Sequence, residues 1–128
     1  VITARLFIDF ELVERKYEPE MVHTTDIFCP VSHREEQDGY DVLRDDILDN
    51  GMKHPIILIP NTYDNWQLCN RQVNPQYILP YQKTKYICVY GNQRCDILMK
   101  AGHTYMWSLI TENVEWSHAA FMELKNSS

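Results

Sequence analysis

Polar and apolar positions alternate at the start of the chain. Ile2, Ala4, Leu6, Ile8, Phe10 and Leu12 share one parity, and Thr3, Arg5, Asp9 and Glu11 the other, with Phe7 the exception. Period two is the mark of a strand with one buried face. The stretch is long for one strand, so a bend or break is expected near Phe10. From Val13 to Gly39 the pattern dissolves into charges, two prolines and the polar cluster Ser32-His33-Arg34-Glu35-Glu36. This region reads as a long irregular connection with a short strand near Ile27-Phe28.

The period changes at Asp41 to Asn50. Leu43 and Ile47 stand four apart, with Val42 near that stripe, which predicts a helix; Gly51 follows as its left-handed C-cap. Pro55-Ile56-Ile57-Leu58-Ile59-Pro60 is an apolar, β-branched run and reads as a buried strand. Asn61 to Gln82 is polar and aromatic and reads as an insertion loop or elaborated hairpin, part of an insertion at about 61–85. Tyr86 to Tyr90 predicts the next strand, ended by Gly91. A helix follows from about Asn92 to Ala101, closed by Gly102, then a strand over Tyr105 to Ile110. Thr111 or Asn113 caps a last helix through Leu124, with Val114, Ala120, Phe121 and Leu124 on its buried side. Helices interleaved with strands over residues 1–128 predict one α+β domain, close to α/β: a small mixed sheet with helices packed on it.

Composition narrows the function classes. Hydrophobic residues make up 45%, which excludes a disordered chain. The net charge is −6 and Lys and Arg are scattered, with no run longer than Arg15-Lys16. A nucleic-acid backbone calls for a basic face, so nucleic acid is disfavoured as the main ligand. No segment reaches the roughly 18 apolar residues of a membrane helix. No charged-then-apolar leader opens the chain, so a soluble cytoplasmic protein is expected, in the host cytoplasm if the origin is viral. Cys29, Cys69, Cys88 and Cys95 lack zinc-site spacing and read as buried small hydrophobes; a disulfide between distant cysteines stays open. No His, Asp and Glu cluster has metal-ligand spacing, and no metal site is expected.

The segment from Tyr86 to Ile110 carries the chemistry. A buried strand runs into Gly91 and a helix starts at once. First-turn N–H groups lack intrahelical partners, and the helix dipole puts partial positive charge there. Gly91 permits a tight turn and close ligand approach. Arg94 stands in the first turn, where its fork can clamp phosphate or carboxylate. Gly91, Asn92, Gln93 and Arg94 thus form a candidate anion site. The alternative is a plain strand-to-helix turn, with Arg94 paired to a surface acid such as Asp96 or Glu115.

Two segments in this order, the helix, Gly51 and Pro55-Ile56 strand, then strand, Gly91-Asn92-Gln93-Arg94, helix and Ala101-Gly102-His103, resemble the ParB/sulfiredoxin superfamily. The first resembles the helix and "G…PI" strand of the ParB N-terminal domain, the second its "GxxR" box. The resemblance covers the central and C-terminal parts of the chain. It implies a nucleotide-phosphate site at Gly91–Arg94, holding ATP, ADP or CTP, with Mg²⁺ supplied by the nucleotide, and a phosphotransfer or nucleotide-hydrolysing accessory role. Sulfiredoxins carry their reactive cysteine directly after the box glycine; here that position is Asn92, which speaks against sulfiredoxin chemistry. Cys95 follows Arg94 instead, where a first-turn thiol can have a lowered pKa; a helix residue packed on the sheet is the plainer reading. Segregation ParB proteins continue into a second phosphate motif, a DNA-binding domain and a dimerisation tail that this sequence lacks, so a stand-alone accessory protein of the phage or mobile-element type is expected.

Further candidates surround the box. His54 and Pro55 open the strand that lines the same cleft in the family, and His54 is a candidate to orient substrate or carry a proton. The Ser32–Glu36 cluster is a candidate source of a general base, or else a solvated loop. Tyr63, Trp66, Tyr77 and Tyr81 crowd the insertion; exposed, they would mark a protein-interaction surface, and folded back they are core. A non-catalytic interaction module is therefore the second function class, and a DNA-binding protein or nuclease the third.

Overall fold

A run of apolar residues with no polar position needs cover on both faces, which places it inside a sheet. The computed structural model describes residues 1–29, 39–71 and 83–126, and there the run Ile56–Pro60 is the central strand. The elements in chain order are strands β1 (Ile2–Ile8), β2 (Glu11–Tyr17) and β3 (Glu20–His23), a single 3₁₀ turn, β4 (Ile27–Phe28), helix α1 (Tyr40–Asn50), β5 (Ile56–Pro60), α2 (Tyr63–Arg71), β6 (Tyr86–Tyr90), α3 (Asn92–Lys100), β7 (Tyr105–Ile110) and α4 (Val114–Asn126). Five strands form a mixed sheet in the order β3-β7-β5-β6-β4. β5 runs parallel to β7 and antiparallel to β6. β1 and β2 form a separate antiparallel ribbon. The fold class is α+β.

The alternation along β5 distributes the core. Ile56 and Leu58 pack with Tyr40 and Ile47 of α1 and Cys95, Ile97 and Leu98 of α3. Ile57 points the other way, to Ala4 and Tyr17 of the ribbon and Trp116, Ala120 and Leu124 of α4. Ile59 joins Phe28, Ile87 and Trp66 of α2 on that second side. All four β5 residues from Ile56 to Ile59 are essentially solvent-free, which is why this stretch tolerates no polar position.

Several expectations are corrected. The opening alternation breaks at Asp9-Phe10, as its length implied, but the charged stretch beyond it is not irregular: it returns as β2 and continues as β3. β2 lies on the surface with only Tyr17 buried, so it has little need for an apolar face and shows none. Val42 is exposed and stands off the stripe that buries Tyr40 and Ile47. Gly51 has φ 79° but ψ −176°, so its cap keeps the positive φ that favours glycine yet lies outside the left-handed helical region. The left-handed stop belongs to α3: Gly102 (φ 84°) and His103 donate to the Met99 and Leu98 carbonyls at 3.1 Å each, the double closure of a Schellman motif. The first part of the insertion is helical, started by Thr62, whose hydroxyl accepts from Asn65 N–H at 3.2 Å. Of the two candidate caps for α4, Asn113 serves: its Oδ1 accepts from Trp116 N–H at 3.0 Å. No helix among the described residues is long and apolar enough to cross a membrane.

Candidate functional site

The site lies where β6 ends, β5 begins and α3 starts. Gly91 has φ 85° and ψ 26°, the left-handed region that side chains disfavour. Space forbids a side chain independently: a Cβ there would lie 2.7 Å from Arg94 Nη2 and 2.8 Å from Ile56 Cγ2. The first intrahelical bond runs from Cys95 N–H to the Gly91 carbonyl at 2.8 Å, which leaves the Asn92, Gln93 and Arg94 amides ahead of it. The N-cap, Gly91, has no side chain to cap this end of α3, and no acid stands in its first turn. It opens on a cavity of about 410 Å³ lined by Leu43 of α1, Val89 and Tyr90 of β6, and Gly91 to Arg94.

Arg94 is half-buried and curls back over Gly91. Its Nη1 donates to the His54 carbonyl at 2.6 Å, which ties the start of α3 to the entry of β5. Burial pulls the guanidinium below its ordinary pKa, opposed by the influence of Cys88. Among the described residues no carboxylate pairs with it. Asp96, one candidate partner, is bound to Lys100 at 3.1 Å instead and accepts from Tyr40 Oη at 3.4 Å.

Three thiols gather beneath the turn. Cys29 follows β4, and the parallel register Ile27↔Tyr86 and Phe28↔Ile87 continues it to Cys88 on β6. Cys29 donates to the Asn92 carbonyl and Oδ1 at 3.5 and 3.4 Å. The Cys95 thiol is pushed up, not down: its hydrogen bond with Cys29 works to lower it, but Cys88, burial and Asp96 outweigh that effect. None of the three is in a disulfide, and Cys95 is a core residue rather than an activated nucleophile.

A second cavity, about 260 Å³, lies on the other side of Arg94, bordered by His54, Pro55, Ile57, Phe121, Leu124 and Lys125, with Tyr90 and Arg94 shared between the two. A β-bulge makes this possible. The β5–β6 register steps from Ile57↔Tyr90 to Leu58↔Cys88, so Val89 is extra. Cys88 faces α3, while Val89 and Tyr90 both face α4. There the Tyr90 ring stacks on Phe121, with centroids 4.5 Å apart and planes 6° from parallel. Burial raises the Tyr90 phenol, and its hydroxyl is hydrogen-bonded with His118 Nδ1 at 2.9 Å.

The structure thus brings His54 and Pro55 against Arg94, the four box residues onto one cavity, and Trp66 into the core beside Phe28. Tyr63 is exposed. The Ser32–Glu36 cluster, Tyr77 and Tyr81 lie outside the described residues. Tyr90, Phe121 and Leu124 were not read as site residues; the only hint was an aromatic directly before the box glycine. Among the described residues no group of three or more His, Cys, Asp or Glu side chains is placed to hold a metal ion. Compared with known proteins, the chain matches no family model and no curated protein.

Proposed function

We propose that this protein binds the phosphate groups of a nucleotide at Gly91–Arg94. The observation that carries the reading is an uncapped α3 N-terminus, entered through a glycine that admits no side chain, opening on a cavity beside a half-buried arginine without a carboxylate partner among the described residues. Amides ahead of the first intrahelical bond and the helix dipole favour an anion there, and a desolvated guanidinium gains more from one than a solvated one does. The ParB/sulfiredoxin resemblance supports the same ligand class, with ATP, ADP or CTP as candidates. Among the described residues neither cavity is lined by an acid, so Mg²⁺ would arrive with the phosphates. Trp66 is buried, which weakens the interaction-module alternative at the insertion.

Thermal shift and calorimetry with ATP, ADP, CTP and GTP, with and without Mg²⁺, test the proposal. A ligand at a hundredfold over its Kd adds about 2.7 kcal/mol to the unfolding free energy. Arg94→Ala is expected to lower affinity at least about tenfold, on the order of 1.4 kcal/mol, with the fold retained by circular dichroism. Unchanged affinity in a folded Arg94→Ala protein would remove the assignment.

A further inference from the structure

We infer that the second cavity is a subsite for a planar aromatic group on the same anionic ligand, an inference that rests on the anion site proposed above. Its walls are apolar: Pro55, Ile57, Phe121, Leu124 and the Tyr90 ring. Its charged and titratable lining groups are Arg94, Lys125 and His54, and no acidic side chain among the described residues borders it. Apolar walls under a basic rim select an organic anion over an inorganic one, because an inorganic ion would lose its hydration against the walls without replacement.

Shape selects the ring. Tyr90 and Phe121 lie parallel and stacked on each other, a fixed aromatic pair whose outer face or edge a third ring can pack against by offset stacking or edge-on. The phenol of Tyr90 is engaged by His118, so the platform is held in place without a polar group turned into the cavity. At about 260 Å³ the cavity falls below the roughly 300 Å³ of sites that enclose a whole drug-sized ligand. It therefore suits one part of a molecule whose remainder lies elsewhere. The larger cavity supplies that place, since Tyr90 and Arg94 are walls of both. The bulge at Val89 is the local feature that commits Tyr90 to the α4 side, and bulges are concentrated next to functional sites because they re-aim a side chain.

The test compares 1-naphthyl phosphate, hexyl phosphate and inorganic phosphate on the intact chain, by calorimetry and by NMR of the Ile57 and Leu124 methyls and the Gly91–Arg94 amides. The aryl ester is expected to bind at least about tenfold more tightly than inorganic phosphate, a ΔΔG of about 1.4 kcal/mol, and to impose ring-current shifts on both methyls. Phe121→Ala, a half-buried position, is expected to abolish that advantage while leaving inorganic phosphate binding unchanged. Equal affinity for aryl and inorganic phosphate, with shifts confined to the amides, overturns the subsite and leaves the anion site standing. Hexyl phosphate matching the aryl ester overturns the aromatic assignment. No response to any probe overturns the subsite and the anion site together.

Discussion

Gly91 answers two demands at once, a left-handed backbone and a contact too close for any Cβ. The two obstacles differ in kind. Arg94 Nη2 is the far end of a flexible side chain and can move, whereas Ile56 Cγ2 belongs to a fully buried strand residue and cannot. Gly91→Ala should therefore destabilise the protein by about 2–4 kcal/mol, from the backbone penalty plus overpacking. Adding Arg94→Ala should restore only a minor share. Urea denaturation of the single and double variants checks this; a full recovery would mean that Ile56 is not the obstacle. The glycine and the arginine were legible in the sequence because their relation is local, three residues apart on one helical turn. The partner of Arg94 was not, because it is a main-chain carbonyl at His54, and a carbonyl has no letter in the sequence. The same holds for the bulge at Val89, which exists only in the pairing of two strands.

At the scale of elements, those with a strong burial requirement were readable and those without one were not. β5, β6, β7, α1, α3 and α4 each press an apolar face on the sheet, and their periods show it. The ribbon strand β2 is held to the body largely through its last residue. Tyr17 is buried and its hydroxyl donates to Glu112 Oε2 at 2.5 Å, at the connection between β7 and α4, while Arg15 pairs with Glu112 at 2.9 Å and covers the Trp116 ring. Burial first, then the Glu112 hydrogen bond and charge, raise the Tyr17 phenol above its ordinary value, with Arg15 opposing. A raised folded pKa gives stability that is fully present below the unfolded value of about 10 and is lost as pH rises through the folded one. Tyr17→Phe should thus cost about 1 kcal/mol at neutral pH, given that Glu112 is half exposed. It should also flatten the alkaline fall in stability above pH of about 10. Urea titrations across that range decide it; parallel profiles for the two proteins would mean that Tyr17 does not titrate differently on folding. No such tie is visible in a run such as Glu14-Arg15-Lys16-Tyr17, which is why the ribbon read as loop.

Across the whole molecule, the five-stranded sheet is covered on both faces, by α1 and α3 on one and by α4, α2 and the ribbon on the other. The ribbon itself is different. β1 and β2 pair only with each other among the described residues, so each carries an outer edge of unpaired main-chain groups, and Phe7, Phe10 and Leu12 stand exposed around its tip. Such an edge is a template for another chain unless something blunts it. Here exposed Glu14, Arg15 and Lys16 follow one another along β2, so a strand laid beside it meets charge at every step. Solubility is the property at stake. Replacing Glu14 and Lys16 by valine should leave the monomer folded yet lower the concentration at which it self-associates, visible as light scattering and growth of β-sheet signal. Equal scattering from the variant and the parent would show that the charges are dispensable. The charges along β2, silent in the core, are then expected to oppose edge-to-edge association of a ribbon with an exposed aromatic tip.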